Sequence, residues 1–187
     1  MSCLIIESSI VTYLFQDGNL LSPISAQIQH WVKKIIMKNQ SNNPVICRKP
    51  VDYLLLDHTA DMGMEITGSD PVDLFTKAGR ALIHIMLGDI HSKSSATMKI
   101  SLTGDDLSDL MVRWLTEILY QFEGERLITT DITIDHMSSA TLKASLAIIP
   151  FDPSQNEVLR EIKAVTYHQI EVTRQDGIWK ARVIFDL

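Results

Sequence analysis

Asp70-Pro71-Val72-Asp73-Leu74-Phe75-Thr76-Lys77-Ala78, running on to Gly88, carries a complete set of helix signals in order. Asp70 is suited to cap the first free amides, Pro71 fits the first helical position, and Asp73 puts an acid in the first turn. Leu74, Phe75, Ala78, Leu82, Ile85 and Met86 then fall on one stripe, and Gly88 supplies the stop. The spacing changes on both sides of this helix. Upstream, Met62, Met64 and Ile66 alternate with Gly63, Glu65 and Thr67, the period of a half-buried strand. Before them Tyr53 to Leu56 reads as another strand, joined to the first through the corner Asp57-His58-Thr59-Ala60-Asp61.

Downstream, Met98, Ile100 and Leu102 alternate in a strand, and Gly104-Asp105-Asp106 turns the chain into a second helix. Its stripe of Leu107, Leu110, Met111, Trp114, Leu115, Ile118, Leu119 and Phe122 is wide enough to demand burial against a sheet. After Gly124 the pattern is strand throughout: Ile132 and Ile134, then Leu142, Ala144, Leu146 and Ile148, each alternating with polar residues. Pro150-Phe151-Asp152-Pro153 interrupts them as a turn. The last two strands, about 161–173 and 178–185, flank Asp176-Gly177, a strong hairpin signal. The expectation is an α+β domain, a mainly antiparallel sheet packed by two helices.

The segment Gln40-Ser41-Asn42-Asn43-Pro44 reads as a linker and places a boundary near residue 50. Residues 1–50 are then an N-terminal extension and residues 51–187 the domain. Within the extension Ile24, Ile28, Trp31, Val32, Ile35 and Ile36 recur at helical spacing, with Ser22 and Pro23 ahead of them and Lys33, Lys34 and Lys38 towards the end. This predicts an amphipathic helix that packs on its own domain or on a copy of itself, with a membrane-surface role as the alternative. Leu4-Ile5-Ile6 is compatible with a short strand or with no regular structure.

Of the 187 residues 45% are hydrophobic and 21% charged, the composition of a folded globular chain. Cys3 and Cys47 both precede residue 50, so the domain has neither a disulfide framework nor a thiolate zinc site, which fits a reducing cytoplasm. No apolar run reaches bilayer-spanning length. Residues 1–50 hold five basic and two acidic side chains, a balance of +3; the whole is −6, so residues 51–187 carry −9. Such a body repels phosphates, which disfavours direct RNA binding or a general RNA chaperone, and suits docking on a basic protein.

Chemistry-bearing residues are few. Asp61 and Asp186, brought together by folding, would make a compact oxygen site for a hard cation. Each has a plain structural reading: the first as a backbone-capping turn, the second as a solvated chain end. The six histidines do not recur with acids at zinc-helix spacing, and there is no phosphate loop, nucleophile elbow or Cys-His pair. In Glu161-Ile162-Lys163-Ala164-Val165-Thr166-Tyr167-His168, alternation sets Lys163, Val165 and Tyr167 on one face and Thr166 and His168 on the other. One face is expected to be core and the other a contact surface.

From about Tyr53 to Leu187 the chain resembles the archease family. The resemblance is carried, in order, by Leu56-Asp57-His58-Thr59-Ala60-Asp61 with Gly63; by Gly104-Asp105-Asp106-Leu107 leading into Trp114-Leu115 and Leu119-Tyr120; by Pro150-Phe151-Asp152; and by 161–168, closed by Val183-Ile184-Phe185-Asp186-Leu187. It implies a protein that is not itself a ligase but activates the RNA-splicing ligase RtcB. That ligase uses GTP and divalent metal to join RNA ends, and the activator promotes guanylylation of its histidine and its turnover in tRNA splicing and RNA repair. RNA would be met only through the ligase. The family's calcium site maps onto Asp61, Asp186 and Leu187, the last through its main-chain or terminal oxygen; another hard divalent cation is compatible. Leu187 stands where isoleucine is usual, and residues 1–50 have no counterpart in a minimal archease. The competing reading is a divalent-metal phosphoester hydrolase with Asp61 and Asp186 as ligands and His58 as base.

Overall fold

The computed structural model describes residues 5–7, 51–57, 61–92 and 94–187. Among the described residues eight strands and two helices follow one another as β1 (Ile5–Glu7), β2 (Tyr53–Asp57), β3 (Asp61–Gly68), α1 (Pro71–Leu87), β4 (Ala96–Thr103), α2 (Leu107–Glu123), β5 (Leu127–Met137), β6 (Thr141–Pro150), β7 (Ala164–Gln175) and β8 (Ile178–Asp186). The helix expected over Ile24 to Ile36 lies outside the described residues.

The α+β class holds, with one difference from the expected single sheet. The strands form two four-stranded sheets, ordered β1-β4-β6-β5 and β2-β3-β8-β7. All pairings are antiparallel except β1 with β4. Alternation along a strand tells which side chains face inward but not which strands share a ladder, so the division into two sheets was hidden. Each helix contacts both sheets, α1 against β3, β8 and β5, and α2 against β7, β4 and β5. The two helices thereby join the sheets around one continuous apolar core.

Helix ends form as the side chains dictate. The Asp70 carboxylate accepts from the Asp73 amide at 2.9 Å, and Gly88 closes α1 with φ 68°. Asp106 caps α2 by accepting from the amides of Ser108 and Asp109, both at 2.8 Å. Trp114, fully buried, spends its indole N–H on the Phe75 carbonyl at 2.9 Å and so fastens α2 to α1. The Pro150-Phe151-Asp152 stretch is structural: Arg126 lies over the rings of Phe122 and Phe151, and Asp152 accepts from the backbone and hydroxyl of Ser154. Asp176 and Gly177 both have positive φ, as a tight hairpin turn needs, and they connect β7 to β8.

One expectation fails. The penultimate strand begins at Ala164 rather than Glu161, and its alternation breaks after Thr166. Thr166 lies opposite Ile184 but Glu171 lies opposite Arg182, so four residues, 167–170, face the single residue Val183. This large bulge turns at Gln169, with φ 51°, and leaves Tyr167 exposed instead of beside Val165 in the core. Ile170 packs against the core in its stead.

Candidate metal centre

β3 and β8 run side by side at the centre of the second sheet, and their register sets Asp61 directly opposite Asp186. Directly opposed residues of an antiparallel pair put their side chains on the same face, a few ångströms apart. Both are exposed, and among the described residues neither has an ion-pair partner. Leu187 follows Asp186 at once. Of the three residues expected to form one site, the register brings Asp61 and Asp186 face to face. Among the described residues no group of three or more His, Cys, Asp or Glu side chains converges. His58, the base of the hydrolase reading, lies outside the described residues.

The register also explains why the acids end up at a tip. Asp61 starts β3 and Asp186 ends β8, while Met62 opposite Phe185 and Met64 opposite Val183 bury the inward face behind them. Further along the outer face Gly63 lies opposite Ile184, and Glu65 opposite Arg182. Glu65 is neutralised there: Lys180 stands 2.7 Å from one carboxylate oxygen and Arg182 bonds the other. The hydrogen bond from Lys180, then that from Arg182, holds its carboxyl below the usual glutamate range. An apolar step of Gly63 and Ile184 separates this balanced cluster from the acidic pair.

Residues 159–163 run from the end of α1 to Asp186. Leu159 and Arg160 both direct their amides to the Met86 carbonyl at the end of α1, and the Arg160 guanidinium reaches the Met62 sulfur at 3.7 Å. The Lys163 amide then donates to the Asp186 carbonyl at 2.9 Å, and its ammonium to the Leu187 oxygen at 2.8 Å. Sequence reasoning gave Lys163 no part in the site. Its membership in the 161–168 motif was visible, but its neighbours depend on where this irregular segment crosses the sheet.

The remaining motif stretches converge nearby. Asp109, in the first turn of α2, accepts from the Tyr167 hydroxyl at 2.5 Å, from the Asp105 amide at 2.9 Å and from Arg113 Nε at 2.8 Å. These donors, Tyr167 first, lower its carboxyl to about 2. The bulge of β7 is thus latched to the start of α2, three residues along the strand from Ala164, which itself pairs with Asp186.

Two four-stranded sheets, one mixed and one antiparallel, bridged by two helices and carrying a cross-strand pair of acids at one tip, define the α+β domain. The model of the Archease protein family (MTH1598/TM1083) matches residues 53–187, and the chain belongs to that family. Protein archease of Methanosarcina barkeri is 32% identical over 146 residues, covering 72% of this chain and 95% of that protein. Protein archease of Methanopyrus kandleri is 29% identical over 135 residues, covering 71% and 96%. The solution structure of Methanobacterium thermoautotrophicum protein 1598 superposes with a TM-score of 0.60 at 27% identity, covering 72% of this chain and 98% of that one.

Proposed function

We propose that this chain is a non-enzymatic activator of the RNA-splicing ligase RtcB, promoting guanylylation of the ligase and its turnover in tRNA splicing and RNA repair. The observation that supports this most directly is the pairing of Asp61 with Asp186, the residue before Leu187, in a member of the archease family. The donor set fits calcium or another hard divalent cation, because it is all oxygen and carries negative charge. Asp61, Asp186 and Leu187 would hold the ion, with the rest of its six to eight oxygen positions left to water or to the partner. Bound there, a cation supplies positive charge that orients phosphate or carboxylate oxygens.

The −9 balance of residues 51–187 accords with a protein partner and with RNA met only through it, in the cytoplasm and away from membranes. Among the described residues no helix is long and apolar enough to cross a bilayer.

The test is a guanylylation assay of the cognate ligase with GTP and divalent metal, with and without this protein. The wild-type chain is expected to accelerate it. Asp61→Ala and Asp186→Ala should each abolish the acceleration while circular dichroism stays that of the parent. Normal stimulation by either variant would overturn the proposal.

A further inference from the structure

Lys163 brings a cation to the end of β8 that carries Asp186. Its backbone is pinned by the amide bond to the Asp186 carbonyl, and its ammonium sits on the Leu187 oxygen, the same atom that the site would offer to a metal. Two other cations of β8, Lys180 and Arg182, are committed to Glu65, and the Arg160 guanidinium reaches the Met62 sulfur. The lysine is exposed, so its hold on a main-chain oxygen is worth little and is readily exchanged.

We propose that Lys163 is the resident counter-ion of this centre, and that a divalent cation enters by displacing its ammonium from the Leu187 oxygen. This rests on the reading of Asp61, Asp186 and Leu187 as a cation site. Two effects follow from elementary electrostatics. The ammonium occupies a donor atom that the metal needs, and its charge repels a dication at short range. The lysine therefore lowers the affinity of the centre for divalent ions and adds a displacement step to their binding.

Isothermal titration of the full chain with calcium chloride tests this, with Lys163→Met and Lys163→Arg beside the parent. Lys163→Met is expected to bind calcium about threefold tighter or more, with the gain shrinking at high salt. Lys163→Arg, which keeps the charge, should stay near the parent. In the parent, the side-chain nitrogen resonance of Lys163 should shift on adding calcium, a readout independent of ligase activation. Unchanged or weaker calcium binding by Lys163→Met would overturn the role of the lysine and leave the centre standing. Absence of calcium binding in both parent and Lys163→Met would overturn the centre itself, and the lysine's role with it.

Discussion

Asp109 shows how one side chain can hold two distant motifs together. Its carboxylate joins the Tyr167 hydroxyl, the Asp105 amide and Arg113, and its proton affinity falls accordingly, to about 2 from an ordinary 3.8. Because the folded value is depressed, the charged latch favours the folded state fully above the ordinary value. That contribution drains away as pH falls from 3.8 through about 2. The thermal midpoint of Asp109→Asn should therefore lie below that of the parent near neutrality, with the gap closing between about pH 5 and about pH 2. A gap that stays constant over that range would show that the carboxylate's charge is not what holds the latch. At this scale the sequence was partly legible. The chemical type of Asp61 and Asp186 pointed to a hard cation, yet their meeting depends on a strand register that no local pattern encodes. Lys163 and Tyr167 were visible as letters of a motif, while their contacts belong to tertiary structure.

Among the elements, the two helices were the most readable because caps and stripes are local properties. Asp70, Pro71, Gly88 and Asp106 stand where their backbone chemistry requires. The junction between β3 and α1 adds a steric condition that composition does not announce. A Cβ on Gly68 would lie 2.6 Å from the Leu74 amide nitrogen and 2.7 Å from its Cα, contacts with backbone that cannot swing aside. Gly68→Ala should lower unfolding free energy by about 1–3 kcal/mol, read as a reduced urea midpoint at unchanged slope. A midpoint equal to the parent's would mean that the helix start shifts freely. The bulge of β7 was illegible for the opposite reason. Neither glycine nor asparagine marks Gln169, so strict alternation ran on through 167–170 and set Tyr167 on the same face as Val165.

For the whole molecule, the described core is drawn from β2 to β8 and both helices. The extension contributes β1, three residues paired in parallel with β4. We propose on this basis that residues 51–187 fold and act by themselves. A protein trimmed to residues 49–187 should unfold in one cooperative step and stimulate ligase guanylylation like the full chain. Loss of either property would make residues 1–50 part of the working unit. The apolar runs and their periods made the α+β class legible from the start, whereas the split into two sheets required knowing which strands are neighbours.

The bulge that carries Tyr167 has a further effect, on how the molecule behaves in a crowd of its own copies. The second sheet ends in β7 on one side and β2 on the other; the first ends in β1 and β5. β7 is broken by its bulge, β5 by two shifts of register, β2 has five residues and β1 three. Open sheet margins invite a foreign strand to add on and so seed polymers, unless they are short or kinked. Among the described residues each sheet margin is one or the other, which leaves no long straight edge there on which a fibril could grow.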